Sequence, residues 1–268
     1  LQNTYWHRYY TGITGVFHED YIPLDIFRSI ISFRLNQKRQ WPSLLDKNLT
    51  YKLFKEFKQP TRIVQNINGF YYVNEKIVDI KIAAEACNDK NKQYIIKPTL
   101  ESGKGKMVEV FTVVNNITTI KNLNIFELFD LYHKDFIIQE LVEQSNSLKI
   151  LNPSSLNTLR IISYLNNDGV HILSSAVRIG EPGNRTDNFS GGGMFCGIND
   201  LGNLKSIGHT KSGEIKEKTL AGTLLKGCEI PNYDKVLKMV CDMHIKIPYF
   251  KIVSWDIGID KSDMPMLI

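Results

Sequence analysis

Apolar residues along the chain change their period several times, and each change marks an element. Within DIFRSIISFRLN, Ile26, Ile30 and Phe33 recur at helical spacing, so residues 1 to 45 read as a helical N-terminal segment. Asp46 then precedes KNLTYKLFKEF, where Leu49, Leu53 and Phe57 recur every four residues until Pro60 stops the pattern. Asp46 is the expected N-cap of this second helix, because a carboxylate there accepts from N–H groups that the first turn leaves unpaired.

From residue 61 to about 72 the pattern is strand-like, and 76 to 87 reads as helix. YIIKP (94 to 98) is a strand; after the loop TLESGKGK come the β-rich MVEVFTVV, a helix near 125 to 132 and the strand FIIQEL (136 to 141). Such alternation predicts a mixed α and β lobe.

TLRIISYL and VHILSSAVR flank NNDG, a hairpin signal. A three-residue turn at Asn167, Asp168 and left-handed Gly169 pairs Thr158 with Arg178 and puts Arg160 and Arg178 on one face; a four-residue loop separates them. The three-residue turn is the expectation. Asn232 is expected to cap the last helix, NYDKVLKMVCDMHIKI, with Val236, Leu237, Val240, Cys241 and His244 on its buried stripe and Pro248 beyond its end. The strands KIVSWDIGI and MPMLI follow.

Composition narrows the classes. A chain of 268 residues with 43% hydrophobic and 23% charged residues can bury a sizeable core and is not a mostly disordered one. No apolar run approaches the roughly 20 residues of a membrane span, so no transmembrane segment is expected. Cys87, Cys196, Cys228 and Cys241 lack CxxC or zinc-like spacing, which fits reduced thiols in a cytoplasmic protein. The net charge of +5 is spread along the chain and suits an anionic ligand. Aromatic residues are not interleaved with a basic stripe, and no nucleic-acid partner is expected.

Several residues then stand out chemically. Lys97 ends an apolar strand and is followed by ESGKGK, where exposed N–H groups and a fixed lysine can cradle phosphate; a hairpin turn with a surface lysine uses the same residues. FIIQELVE runs from an apolar strand into acids, as a nucleotide hinge does and as a solvated strand end also does. Arg160 and Arg178 interrupt apolar strands, so each needs an anionic partner, either a structural carboxylate or a bound phosphate or oxyanion. Asp256, after IVSW, can reach a hard metal ion or serve a turn. Gly191, Gly192 and Gly193 allow close main-chain approach to a ligand, although a turn-rich connection also favours glycine. His244 and Cys196 read as core residues and are assigned no chemistry.

In order, DKNL before a helix, IIKP with its Gly/Lys loop, QELV, NTLR, AVRIG, DNFSGGG and SWDIGID resemble the ATP-grasp superfamily over residues 46 to 268. NPSSLNTLR, DNFSGGG and SWDI are similar to the sugar-transfer-associated ATP-grasp proteins of polysaccharide biosynthesis. The resemblance implies an α+β fold in which two α+β lobes clasp ATP. It divides the chain into a helical N-terminal segment (1–58), an ATP-grasp lid subdomain (59–141) and a large C-terminal subdomain (142–268).

Residue by residue, the resemblance implies that Lys47 and Lys97 bind phosphates and that Ser102, Gly103 and Gly105 belong to the loop covering them. It makes Gln139, Glu140, Leu141 and Val142 the adenine hinge, with Glu143 toward the ribose. Arg160 and Arg178 resemble the arginines that contact the transferred phosphoryl group and acyl intermediate, and Asn188 with Gly191 to Gly193 resembles an Asn-then-Gly-Gly segment. Asp256 resembles the first magnesium ligand. The usual Glu-x-Asn ligands are expected just beyond Ile268, because Asp256 alone cannot hold the usual metal pair.

The implied cofactors are ATP and Mg2+, and the implied chemistry is a carboxylate activated to an acyl phosphate and then attacked by an amine. The family association suggests a sugar-linked carboxylate and an amino acid or amine acceptor. Two other readings stay open at this point: a sugar or polyol kinase of the same fold, and a non-catalytic nucleotide- or glycan-binding scaffold.

Overall fold

A computed structural model of the chain describes residues 4–100, 107–184, 187 and 189–268. The N-terminal segment is helical, as expected. It holds α1 (Tyr5–Thr14), α2 (Leu24–Ile26), a π-turn at Phe27–Ile31 leading into α3 (Ser32–Leu35), α4 (Trp41–Leu45) and α5 (Lys47–Leu53). Asp46 caps α5 by accepting from the Asn48 N–H at 2.8 Å.

Residues 62 to 140 supply a six-stranded antiparallel sheet in the order β3-β2-β1-β8-β4-β5. Its strands are β1 (Arg62–Ile67), β2 (Phe70–Val73), β3 (Lys76–Val78), β4 (Tyr94–Pro98), β5 (Glu109–Phe111) and β8 (Phe136–Glu140), and a small ribbon of β6 (Val113–Val114) and β7 (Ile117–Thr118) lies beside it. Two expectations are corrected here. The strand-like stretch from 61 to 72 is a hairpin, because Asn68 and Gly69 both take positive φ and turn the chain between β1 and β2. Residues 76 to 78 are the strand β3 instead of a helix start; α6 (Ile80–Ala86) begins only after Asp79, whose carboxylate accepts from the N–H groups of Lys81 and Ile82.

Alternation gives this sheet two unlike faces. Val64, Ile138 and Ile96 are direct cross-strand partners and pack with Phe136 against Ala83 and Ala84 of α6 and Leu128 and Phe129 of α7 (Ile125–Tyr132). The opposite face carries Gln65, Ile137 and Lys97 in one cross-strand row and Ile95 with Gln139 in the next.

The remaining residues form α8 (Asn146–Lys149) and a seven-stranded sheet in the order β13-β12-β11-β10-β9-β14-β15. Its strands are β9 (Thr158–Asn166), β10 (Gly169–Ile179), β11 (Met194–Ile198), β12 (Leu204–Thr210), β13 (Ile215–Lys216), β14 (Ile252–Ile259) and β15 (Pro265–Leu267). Leu159, Ile161, Val177, Trp255 and Ile257 form its core side together with α9 (Tyr233–Ile245). Asn36 bonds Ile252 through both its carboxamide groups, at 3.0 and 3.1 Å, and ties the helical segment to β14.

The β9–β10 hairpin reaches the expected register by a different route. Asn166 pairs with Gly169, so the loop has two residues, Asn167 and Asp168. The odd residue instead enters at a bulge between Ile172 and Ser174, beyond which Thr158 pairs with Arg178 and Arg160 with Ala176. Arg160 and Arg178 therefore share a face.

α9 also differs in detail. Asn232 precedes it with φ of 51° and makes no capping bond; its side chain donates to the Asp263 carbonyl at 2.8 Å. Leu237 and Cys241 are only half-buried, and Met239 and Met243 fill the stripe beside Val236, Val240 and His244. All four cysteines are free thiols. No helix among the described residues is long and apolar enough to cross a membrane.

Candidate functional site

Three neighbouring strands build the charged part of the site. Arg160 on β9 and Asp256 on β14 are direct cross-strand partners. Arg160 donates from Nε to Oδ1 of Asp256 at 2.6 Å and from Nη2 to Oδ2 at 3.0 Å, a two-bond fork. Arg178 on β10 reaches the same carboxylate at 3.3 and 3.4 Å. A position that reads as a metal contact is thus held between two guanidinium groups.

Asp187, which the sequence reading did not single out, completes the cluster. Its carboxylate lies 3.3 Å from Arg178 Nη2, and its other oxygen accepts a short hydrogen bond from the Thr158 hydroxyl and a 3.3 Å bond from the Thr158 N–H. Burial pushes its pKa up, opposed by Arg178 and by the Thr158 hydrogen bond. Asp187 opens DNFSGGG, and two arginines on one face with a single carboxylate already in sight imply a second one; that charge count was the available signal.

On the polar face of the six-stranded sheet, burial lowers the pKa of Lys97 to about 8, with the positive charge of Lys47 adding to the effect. Lys47 is itself lowered by burial. Its N–H donates to the Thr99 carbonyl at 3.2 Å, so the start of α5 sits beside the end of β4. The two lysines are thereby brought together, and two desolvated cations in one place favour an anionic ligand.

The residues that the resemblance assigns to an adenine hinge differ in their contacts. Glu140 and Leu141 donate their N–H groups to the carbonyls of Thr61 (2.9 Å) and Gln93 (2.8 Å), and no partner for the Val142 N–H is found among the described residues. Glu140 ion-pairs with Lys92, and Glu143, which is exposed, lies 3.3 Å from Lys261. Gln139 is buried, and its carboxamide oxygen has no partner among the described residues. Asn48, Gln65 and Arg62 extend this polar face as a network that sequence reasoning also missed. Arg62 donates to Gln65 at 2.6 Å and lies over the Tyr51 ring, 3.1 Å from its centroid.

Ser102, Gly103, Gly105 and Asn188 lie outside the described residues. Gly192 takes φ of +102°, and a Cβ there would stand 2.8 Å from a Glu181 carboxylate oxygen, so the turn itself demands glycine. His244 is a core residue as expected: its Nε2 meets the Phe250 carbonyl at 2.8 Å and its Nδ1 the Ser163 hydroxyl at 2.7 Å. Cys196 is buried, which pushes its thiol up to about 11.

Among the described residues no group of three or more His, Cys, Asp or Glu side chains could hold a metal ion by itself. A single carboxylate does fit an ion that arrives already bound to phosphates, since magnesium commonly takes one or two protein carboxylates beside substrate oxygens. A groove of about 400 Å³ adjoins Asp256, walled by Lys38, Trp41, Phe54 and Trp255. A larger cavity, about 960 Å³, lies against α1 and holds none of the candidate site residues.

Comparison with known proteins agrees with this architecture. Among solved structures, N5-carboxyaminoimidazole synthetase from Staphylococcus aureus, complexed with ADP, superposes with a TM-score of 0.51 at 11% identity, over 87% of this chain and 46% of that one. L-amino acid ligase from Bacillus licheniformis gives 0.44 at 12% identity, over 85% and 40%. The chain thus spans less than half the length of either protein, and at 11% identity the likeness to the synthetase is one of fold. No curated protein matches the chain. The model of the sugar-transfer associated ATP-grasp family matches residues 28–268, nine-tenths of the sequence, and the chain belongs to that family.

Proposed function

We propose that the protein is an ATP-dependent carboxylate–amine ligase working through an acyl phosphate, and that its carboxylate is sugar-linked and its acceptor an amino acid or amine. The observation that carries this reading is the state of the carboxylates around Arg160 and Arg178. A kinase acting on a hydroxyl needs a base, yet Asp256 and Asp187 are both tied to arginines. A carboxylate nucleophile needs no base, and two guanidiniums suit an anionic substrate.

In this reading the Val142 N–H and the Gln139–Leu141 segment take the adenine, and Glu143 the ribose. Lys47 and Lys97 hold the phosphates, and Ser102, Gly103 and Gly105 are assigned to the same ligand by the resemblance alone. Asp256 is the residue that would hold magnesium arriving with the nucleotide, and the ion would supply positive charge to offset that of the phosphates. A substrate carboxylate oxygen attacks the terminal phosphorus and ADP leaves. The neutral amine then attacks the acyl carbon, the C–N bond forms as the C–O bond to phosphate breaks, and phosphate departs with the oxygen it gained and takes up the proton that the nitrogen loses. Arg160, Arg178 and Asn188 stabilise the charge on the transferred group and on the tetrahedral oxyanion. The family's description as sugar-transfer associated supports a role in polysaccharide biosynthesis.

The test is to incubate the full-length protein with ATP, Mg2+, hydroxylamine and a panel of uronic and other sugar-linked carboxylates. A hydroxamate formed along with ADP supports the ligase; a phosphorylated sugar without hydroxamate is the result for a kinase, and binding without turnover that for a scaffold.

A further inference from the structure

Asp256 and Asp187 both hold Arg178, but they are anchored differently. Among the described residues the side-chain partners of Asp256 are the two arginines alone, and its side chain is 35% exposed. Asp187 is 14% exposed and is fixed by the hydroxyl and N–H of Thr158, which stands directly opposite Arg178 in the β9–β10 ladder. The Asp187 carbonyl also accepts from Arg178 Nη2 at 3.4 Å. Arg178 is therefore gripped by both the side chain and the main chain of one residue. For Arg160, which is 41% exposed, no second carboxylate is found among the described residues.

We propose that Asp187 is the resident counter-ion of Arg178, a positioning residue that keeps this guanidinium in place when Asp256 exchanges its arginines for the incoming nucleotide. The proposal rests on the ligase reading for the identity of what Asp256 meets, though not for the exchange itself. Its logic is electrostatic. A guanidinium only 19% exposed is costly to leave without an anion. Were Asp256 its sole partner, engaging a ligand through that carboxylate would strand Arg178. With Asp187 pinned behind it, Asp256 is free to turn away, Arg178 stays aimed, and only the more exposed Arg160 is released to meet the substrate anion. The two arginines thereby divide the work: one fixed, one exchangeable.

Two experiments decide it. In a crystal structure of the Asp256→Asn variant, Arg178 is expected to remain within about 3.5 Å of Asp187 while Arg160 loses its fixed position. An Arg178 that swings away from Asp187 overturns the proposal, whether or not the protein is a ligase. In the hydroxamate assay Asp187→Asn is expected to lower kcat about 100-fold with the KM for ATP within about twofold, and Asp187→Glu to regain about tenfold. Wild-type kcat in Asp187→Asn, or a loss confined to KM, overturns it while leaving the ligase reading intact. Absence of hydroxamate from the wild type with every carboxylate sinks the ligase reading and leaves the structural experiment to judge Asp187.

Discussion

Arg160 and Asp256 stand directly opposite each other on neighbouring strands and join through two hydrogen bonds, of 2.6 and 3.0 Å. The fork depends on a planar guanidinium, which a lysine ammonium cannot reproduce. Because both side chains are more than a third exposed or close to it, the pair adds little to folding, no more than about 1 kcal/mol. Arg160→Lys should accordingly leave the melting temperature within a few degrees and lower hydroxamate turnover about 10- to 100-fold. Parallel melting curves and kinetics check both halves; equal turnover would remove Arg160 from the chemistry.

Lys97 carries the opposite balance. Its folded pKa, about 8, lies below the ordinary 10.5, so between these values the unfolded chain binds more protons and stability rises with pH. Below pH 8 the charge of this half-buried lysine is fully present and opposes folding. Lys97→Met should therefore stabilise the nucleotide-free protein at pH 7, by about 1–3 kcal/mol, and abolish nucleotide binding. Denaturant unfolding at pH 7 and pH 10 checks it, with the advantage of the variant shrinking at the higher pH. For the wild type, ATP affinity should fall as pH rises through about 8.

Much of this architecture was legible in the sequence, and the failures have physical causes. The strand holding Lys97 was readable as a short apolar run, and the helix at Ile125–Tyr132 from its apolar period behind the capping box of Asn124 and Glu127. The β1–β2 hairpin and β3 were missed because Asn68, Asn74 and Glu75 adopt positive φ inside a pattern whose alternation continues across the turns. The shared face of Arg160 and Arg178 was anticipated through the wrong turn: a two-residue loop and a bulge give the same offset as a three-residue loop, and periodicity cannot tell them apart. Asp187 was overlooked because an aspartate beside a glycine run looks like any turn residue until Arg178 is seen next to it.

His244 makes the stability depend on pH in the acid range. A carbonyl only accepts, so Nε2 carries the proton toward Phe250, and Nδ1 accepts from the Ser163 hydroxyl, which itself accepts from Trp255 Nε1 at 2.8 Å. Burial lowers the pKa of this imidazole. Its contribution is thus complete above the unfolded value of about 6.5 and is lost as pH falls below it, because the unfolded chain then takes the proton first. Ser163→Ala should cost about 1–3 kcal/mol. Urea titrations between pH 5 and 8 are expected to show the decline in the wild type.

Gly192 tests the connection before β11. With φ of +102° and Glu181 2.8 Å from a would-be Cβ, Gly192→Ala strains the backbone even if the glutamate swings aside. A loss of about 1–2 kcal/mol is expected, read from the denaturation midpoint; no loss would mean that the turn relaxes freely.

The central claim is that a substrate carboxylate oxygen passes through an acyl phosphate. The most direct measurement uses a carboxylate substrate labelled with 18O in the full-length protein with ATP, Mg2+ and the amine, and reads the inorganic phosphate by mass. The ligase account requires one labelled oxygen in each phosphate formed with product, and none after Lys97→Ala abolishes turnover. Unlabelled phosphate, or phosphate retained on the sugar product, would contradict it.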